Sequence, residues 1–278
     1  MALYVNTNIA SLNAQRNLNS STDALSTSLQ RLSSGLRVNS AKDDAAGLAI
    51  ATDMTAQIRG GNQAIRNASA GISLAQTAEG ALSQIEANMQ RMRELAVQGA
   101  NGTVSGSTNN MSQIKAELDQ LGSENARLIA GTKFNGNAVF SATTTGTTMT
   151  FQVGANNTAN DKIAIKIGAA MFTNAAAAAV TFANATDAGS LIANLDTELN
   201  SVASMRANLG ASQNRFGAVV ANLQTYVENL SASRGRIIDT DFADETANMT
   251  RNQIIQQAGT AMLAQANQLP SAAMSLLR

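Results

Sequence analysis

Apolar residues recur at intervals of three and four positions along most of the chain, and this spacing predicts long α-helices. The first heptad seam is formed by Leu18, Leu25, Leu29, Leu32 and Leu36. The seam predicts a helix from about Asn8 to Ser34. Gly35 should end this helix, because glycine takes the left-handed backbone conformation at low cost.

Four further helices are predicted in the same way. The second should run from Ala64 to Gly99, about 50 Å at 1.5 Å per residue, and the third should follow a loop at 101–110. The fourth should run from Asp187 to Ala232. The last should begin near Asp241, whose carboxylate can accept hydrogen bonds from free backbone amides. The seams of these helices include Leu82, Ile85, Met89, Met92, Leu118, Leu121, Leu209, Phe216 and Leu223.

The segment 141–186 has a different composition, dominated by threonine, alanine, glycine and asparagine. Within it, 150–153 and 163–167 predict an antiparallel hairpin around a turn at 154–161. The alanine run 175–179 fits neither a helix nor a strand pattern. The expected fold class is therefore mainly α, a long antiparallel helical bundle or coiled-coil rod with a small β-hairpin insert.

Composition limits the chemistry that this chain can perform. It contains no histidine, cysteine or tryptophan, which removes imidazole bases, thiolate nucleophiles and the usual zinc ligands. Carboxylate, lysine, tyrosine and hydroxyl chemistry remain, but no catalytic base with a matching partner is visible in the sequence. We expect no enzyme activity and no cofactor. The 19 basic and 19 acidic residues form no basic stripe, so nucleic acid is not an expected partner. The sequence shows neither a Sec-type signal nor an apolar run of membrane-spanning length, so no membrane is expected either.

Both ends of the chain carry few charges. Residues 1–30 contain only Arg16 and Asp23, and residues 252–278 contain only Arg278. A helix in water normally has a charged outer face, so we expect other protein to surround these helices. Further copies of the same chain would do so, and contacts that repeat without closing produce a filament. The alternative is a pair of disordered tails, and both hold if the tails fold on assembly.

The expected polymerisation core consists of the apolar positions of these terminal helices. Burying such side chains against neighbouring copies removes apolar surface from water and so favours assembly. The core residues are Ile9, Leu12, Leu18, Leu25, Leu29, Leu32, Ile255, Ala258, Met262, Leu269 and Leu276.

Several long motifs follow one another along the chain. They are NTN at 6–8, RLSSGLR at 31–37 continuing to 49–50, QRMRELAVQ at 90–98, TKFNG at 132–136, and, near the end, 256–259, 263–268 and 276–278. In this order they resemble the motifs of bacterial flagellins, and the resemblance covers almost the whole chain outside the insert. It implies a structural subunit that self-assembles into the flagellar filament for motility, with terminal helices that order on polymerisation. The alternative within the same class is a hook-filament junction protein.

The resemblance also implies a domain organisation. Residues 1–41 would form an N-terminal D0 helix and connector, and 42–140 the N-terminal helices of D1. Residues 141–186 would form a short variable β-rich insert. Residues 187–232 would return as the C-terminal D1 helix, and 233–278 as the C-terminal connector and D0 helix.

Resemblance to flagellins further implies a location and a set of partners. The chain would be secreted by type III export, without a cleaved signal, to the extracellular bacterial flagellum. Its partners would be further copies of itself, a flagellar export chaperone binding the C-terminal part, a cap protein and hook-junction proteins. Toll-like receptor 5 would be a further partner, because 90–98 resembles the flagellin motif that it recognises. The alternative is that this motif is simply the polar face of a long helix. The innate-receptor and inter-subunit surface would comprise Gln90, Arg91, Arg93, Glu94, Leu95 and Glu117.

The connector loop has two interpretations. Its residues are Arg37, Ser40, Lys42, Asp43 and Asp44. Ser40 and Asp43 have the spacing of a capping box, which predicts that Ser40 caps a short helix continuing to about Ile58. The alternative is a metal site on the adjacent carboxylates, since hard cations take oxygen ligands, although no calcium-loop spacing supports it. The capping interpretation is the one that the spacing favours.

Two other function classes are a metalloprotease and a surface-binding adhesin, and the sequence argues against the first. A metalloprotease in the insert would need a His-Glu-x-x-His motif, and this chain has no histidine. A surface-binding role of the insert would involve O-linked glycans on residues such as Thr143 to Thr145. The mass of filament-derived protein compared with the sequence mass distinguishes the glycosylated form.

Overall fold

The computed structural model describes residues 7–140, 147–168, 172–177 and 181–275. These residues form six α-helices, two two-stranded antiparallel sheets and one short 3-10 helix, Ala159–Asp161, and the mainly α fold class is confirmed. The helices are α1 Ile9–Ser34, α2 Ala45–Gly99, α3 Gly102–Ser105, α4 Thr108–Gly131, α5 Ala185–Ile238 and α6 Phe242–Ser275. The strands are β1 Lys133–Phe134, β2 Asn137–Ala138, β3 Thr147–Gln152 and β4 Lys162–Ile167. None of the helices described is both long and apolar enough to cross a bilayer.

The described residues form two compact units. One combines Met1–Ile58 with Glu228–Arg278, and the other is Arg59–Val227. Helices α2 and α5 each contribute residues to both. In the first unit, α1 packs along α6 in the antiparallel direction, so that Asn8 contacts Ala266 and Arg31 contacts Glu245.

The predicted ends of the terminal helices are confirmed. Asn8 caps α1 by accepting a hydrogen bond from the amide of Ser11 at 3.2 Å. Gly35 ends α1 with a φ of 71°, the left-handed conformation that its position required. Asp241 caps α6 by accepting a hydrogen bond from the amide of Ala243 at 2.8 Å.

Three predicted helix boundaries are wrong. The loop predicted at 101–110 contains the short helix α3, and α4 begins within it at Thr108. The short helix to Ile58 and the helix from Ala64 are one continuous helix, α2. Gly60 and Gly61 lie at the expected break, but they allow close packing: a Cβ on Gly61 would lie 2.7 Å from a methyl carbon of Val227. Helix α5 extends past the predicted end at Ala232 as far as Ile238, so the returning non-helical connection is shorter than predicted.

The core of the second unit lies between α2, α4 and α5. Helix α2 is antiparallel to both others. Asn88 and Arg91 of α2 contact Asn125 and Glu117 of α4, in reverse order along the chain. Likewise, Glu79 and Arg93 of α2 contact Arg206 and Asp196 of α5. Phe216 occupies the centre, fully buried, with its ring edge-to-face against Phe151 at 5.6 Å between centroids. Most of the predicted seam residues are buried, namely Leu82, Ile85, Met89, Met92, Leu118, Leu209 and Phe216. Leu121 and Leu223 are only partly buried.

The predicted hairpin of the insert is confirmed as β3 paired with β4. Ile163, Ile165 and Ile167 are buried on one face of β4, which fits strand alternation. A second hairpin, β1 with β2, was not predicted. Its turn has positive φ at Asn135, 49°, and Gly136, 80°, the residues that a tight two-residue turn favours. Of the alanine run, Ala175 and Ala176 lie in a turn at 173–176, and Ala177 follows this turn. Residues 178–179 lie outside the described residues, as do Thr143 to Thr145.

Candidate assembly and recognition surfaces

The predicted polymerisation residues divide into an inner set and an outer set. Leu18, Leu25 and Leu32 are partly buried between α1 and α6. The outer set is exposed: Ile9 64%, Leu12 52%, Leu29 49%, Ile255 44% and Met262 65%, together with Ala258. Leu269 lies in α6 and Leu276 lies outside the described residues. Two exposed apolar residues were missed by the sequence analysis, namely Phe242 at 56% and Ile254 at 60%.

Small polar side chains fill the buried contact between α1 and α6. Ser21 and Ser28 are 7% and 4% exposed, and the hydroxyl of Ser21 donates to the carbonyl oxygen of Asn252 at 3.1 Å. Asn8 donates from its side-chain amide to the carbonyl oxygen of Ala266 at 2.7 Å. Leu18, Leu25 and Leu32 share this contact with the small polar side chains, so α1 carries large apolar residues on both its inner and its outer face. The apolar residues of the outer set remain available to other protein.

The capping-box prediction for the connector loop is wrong. The carboxylate of Asp43 accepts hydrogen bonds from the amide and hydroxyl of Ser40, both at 2.9 Å, but these residues form a turn that precedes the helix. These hydrogen bonds hold the pKa of Asp43 below its usual value. Asp44 caps α2 instead, because it directly precedes Ala45 and accepts from the amide of Gly47 at 2.9 Å. Lys42 is exposed.

Arg37 joins the connector loop to the end of α5. Its guanidinium donates to the carbonyl oxygen of Ile237 at 2.6 Å, and its backbone amide donates to that of Ile238 at 2.6 Å. The amide of Thr240 returns a bond to the carbonyl oxygen of Gly35 at 3.0 Å. A cation is favourable at a helix C-terminus, where carbonyl groups lack helical partners. The connector loop and the end of α5 therefore cap each other. As for the alternative of a metal site, the described residues contain no group of three or more potential metal ligands.

The predicted receptor motif lies on α2, where two arginines point to different neighbours. Arg91 bonds Glu117 of α4 at 2.9 Å and Glu94 at 3.0 Å, whereas Arg93 bonds Asp196 of α5 at 2.6 Å. These carboxylates raise the pKa of both arginines. Gln90, which directly precedes Arg91, is also exposed.

Leu95 does not belong to the exposed part of this motif. It is 2% exposed and packs in the core of the second unit, because its position on α2 falls on the inward seam. Leu95 therefore supports the surface from beneath. The exposed residues Gln90, Arg91, Arg93, Glu94 and Glu117 form what we call the α2 charged surface.

A buried polar network, missed by the sequence analysis, fixes the segment 172–177 against the helices. The carboxylate of Glu198, 6% exposed, accepts hydrogen bonds from the amides of Asn174 and Ala175 at 2.8 and 2.9 Å. It also accepts from the side chains of Thr173 at 3.1 Å and Asn174 at 3.0 Å. The side chain of Asn125, fully buried, donates to the carbonyl oxygen of Ala175 at 2.8 Å.

Comparison with known proteins shows which family the chain belongs to. A family model described as the bacterial flagellin N-terminal helical region matches residues 5–145, and the C-terminal helical region of the same family matches 192–277. The chain belongs to the flagellin family. It is therefore a structural subunit of the bacterial flagellar filament and not an enzyme. The hook-filament junction alternative is not favoured.

Individual relatives agree with this membership over their full length. The chain is 42% identical over 280 residues to a flagellin of Halalkalibacterium halodurans, covering 99% of this chain and 100% of the relative. It is 43% identical over 321 residues to a flagellin of Xenorhabdus nematophila, covering all of both. A solved chain described as a flagellar hook-associated protein of Vibrio parahaemolyticus shares the fold, with a TM-score of 0.57 at 12% identity over 71% of this chain and all of that one.

Proposed function

We propose that this flagellin subunit assembles by burying the outer apolar side chains of α1 and α6 against other copies, and that both helices order at this step. The observation that carries the proposal is the exposure of large apolar side chains on both helices, with Ile9 64% exposed on α1 and Met262 65% exposed on α6. Each large apolar side chain that leaves water contributes about 1.5–3 kcal/mol. Several such residues per subunit offset the entropy lost when the helices become ordered.

A matched pair of substitutions in α1 tests this proposal. Leu12→Gln removes an outer apolar side chain, whereas Asn13→Gln changes a neighbouring exposed polar residue. We expect Leu12→Gln to raise the protein concentration needed for polymerisation at least about tenfold, as about 1.4 kcal/mol requires, and Asn13→Gln to leave it unchanged. Sedimentation measures the polymer, and far-UV circular dichroism should show helix content rising on assembly. Equal polymerisation of the two variants, or polymers from a chain lacking residues 1–34, would contradict the proposal.

We also propose that the two terminal segments, 1–41 and 233–278, form an inner D0 layer of the filament. The helices of 42–140 and 187–232 would form the surrounding D1 layer, with the insert 141–186 outside it. Family membership and the exposed apolar faces of the terminal helices support this arrangement. Electron cryomicroscopy of the filament tests it, and an insert lying at the filament axis would contradict it.

We propose the extracellular flagellum as the location of the assembled chain, reached by type III export. A flagellar export chaperone would bind α6, where Ile254, Ile255 and Met262 are exposed in the single chain. Cap and hook-junction proteins would contact the growing and basal ends. Immunogold labelling of intact cells tests the location. For the chaperone, calorimetric titration should show weaker binding of Ile254→Ser than of Thr260→Ser, and equal binding would exclude α6 as the site.

A second proposed interaction is recognition of the unassembled chain by Toll-like receptor 5. The observation that favours it is the α2 charged surface, in which Arg91 is held by Glu117 and Glu94 in an exposed position. Arg91→Ala should lower the response of a receptor reporter cell line to monomer. Arg127→Ala is the matched control, because Arg127 forms a comparable exposed pair with Glu124. Equal responses to the two variants would exclude Arg91 from the recognition surface.

A further inference from the structure

Met262 is the most exposed methionine among those whose side chains the structure describes. Its exposed fraction is 65%, whereas the other described methionines are buried or partly buried. The buried ones are Met89, Met92, Met111 and Met205, and the partly buried ones are Met54, Met149 and Met249. An oxidant must reach the sulfur of a thioether in order to react with it, so the exposed methionine of a folded chain reacts before the buried ones.

Met262 also lies on the outer apolar face of α6. Ile255 and Ala258 precede it by seven and four residues, a spacing that places all three on one side of a helix. Gly259, in contrast, faces α1, because a Cβ there would lie 3.3 Å from a methyl carbon of Leu18. The thioether of Met262 is therefore accessible in the single chain, and it belongs to the surface that is proposed to be buried on assembly.

Oxidation changes the chemical character of this surface. Hydrogen peroxide transfers one oxygen atom to the thioether: an S–O bond forms, the O–O bond of the peroxide breaks, and water leaves. The sulfur is oxidised by two electrons and the peroxide is reduced by two. The product, methionine sulfoxide, is polar and chiral. Burying its oxygen among apolar side chains without a hydrogen-bond donor is unfavourable.

We propose that Met262 is a reversible modification site, at which oxidation to the sulfoxide prevents the unassembled subunit from polymerising. The inference rests on the proposed assembly through the outer apolar side chains of α1 and α6. Burial on assembly excludes the oxidant from the sulfur, so subunits already in the filament are protected while free subunits are not. Methionine sulfoxide reductases return the sulfoxide to the thioether, which restores the apolar surface.

Peroxide treatment of the full-length unassembled chain, followed by peptide mass spectrometry, tests the site. Met262 should be oxidised at least about tenfold faster than Met89 and Met205, which are buried in the second unit. Equal rates at Met262 and Met205 would overturn the assignment. In assembled filaments, Met262 should react at least about tenfold more slowly than in the free chain. An unchanged rate there would overturn the proposed burial of this face on assembly, and the inference with it.

Polymerisation before and after the same treatment tests the consequence, with each chain compared with its own untreated sample. Peroxide should raise the critical concentration of the wild type at least about tenfold, equivalent to about 1.4 kcal/mol. A methionine sulfoxide reductase should return it to within about twofold of the untreated value. The peroxide dose is limited so that most chains gain a single oxygen atom, as measured by mass spectrometry of the intact chain.

Two methionine variants separate Met262 from the rest of the chain. Met262→Leu has no thioether at this position, so peroxide should change its critical concentration by less than about twofold. Met249→Leu is the matched control on the same helix, three residues before Asn252, whose carbonyl oxygen accepts from α1, and it should stay as sensitive as the wild type. Loss of polymerisation in oxidised Met262→Leu, or normal polymerisation of chains that carry the Met262 sulfoxide, would overturn the modification site. Failure of Leu12→Gln to impair polymerisation would instead overturn the assembly surface.

Discussion

Replacing Glu198 by glutamine should destabilise the second unit far more than its single-atom change suggests. In the wild type, one oxygen of Glu198 accepts hydrogen bonds from Thr173 and from the backbone and side chain of Asn174. The other oxygen accepts from the amide of Ala175 at 2.9 Å. Glutamine keeps the shape of the side chain but replaces one acceptor oxygen with an NH₂ group. This group is itself a donor, so it cannot accept a hydrogen bond from the donor that faces it.

These contacts determine how much unfolding free energy the substitution removes. Three bonds lose charge assistance, and each falls from about 1.5–3 to about 0.5–1.5 kcal/mol. The amide of Ala175 loses its acceptor in a buried place, which costs a further 1–3 kcal/mol or so. Neutralising a buried carboxylate recovers part of its desolvation penalty. The net loss of unfolding free energy should therefore be about 2–4 kcal/mol.

Urea unfolding of the monomer, followed by far-UV circular dichroism, measures this loss. Glu124→Gln is the matched control, because Glu124 is an exposed carboxylate paired with Arg127 at 2.6 Å, and exposed pairs contribute at most about 1 kcal/mol. Hydrogen exchange should show that the amides of Asn174 and Ala175 lose protection in the Glu198 variant. If the two variants unfold at the same urea concentration, the hydrogen bonds to Glu198 do not hold segment 172–177 in place, and the reasoning fails.

Three smaller changes test other parts of the structure. Gly71→Ala should cost about 1–3 kcal/mol in a urea titration, because its Cβ would lie 2.8 Å from the ring of Phe216, and an unchanged midpoint would show that the ring moves freely. Gly80→Ala should instead stabilise by about 0.5–1 kcal/mol, since the added Cβ meets open space in the middle of a helix. Ser40→Ala should raise the pKa of Asp43, measured by NMR titration, because Ser40 supplies the main hydrogen bond that lowers it. Since the folded pKa of Asp43 lies below its unfolded value, its contribution to stability is present above that unfolded value and is lost as pH falls through the folded pKa, and an unchanged titration in the variant would refute this cause.

Heptad spacing predicted the helices well where seam residues continue without interruption. The buried positions Leu82, Ile85 and Met89 show why, since a long helix can satisfy so regular a stripe only by packing along its neighbours. The same reasoning failed at Gly60 and Gly61, because glycine indicates either a break in a helix or the close approach of another segment. Only the positions of Ala155 and Val227 decide between them.

The sequence did not predict the hydrogen-bond networks that join distant segments of the chain. In the sequence, Glu198 is one polar position on a long helix. Its partners include two backbone amides, and a backbone amide carries no residue-specific signal. Asn125 likewise falls on the inward face of α4, where only the structure shows its bond to Ala175. The turn at Asn135 and Gly136 differs, because an Asn-Gly pair is a known hairpin signal that could have been used.

The sequence also predicted the α2 charged surface only in part. The clustering of Arg91, Arg93 and Glu94 was visible, but their partners on two different helices were not, apart from Glu117. Leu95 was assigned to the surface from motif resemblance, although its helical position places it inward. The D0 and D1 boundaries stay predictions.

The contact between Asn8 and Ala266 joins residues separated by 258 positions. Helix α1 is translated before α6, and α2 to α5 lie between them in the chain. A growing chain therefore cannot form this pair until α6 has been made, and closing so long a loop carries an entropic cost even then. A partner bound to the inner face of α6 would leave α1 without its paired helix.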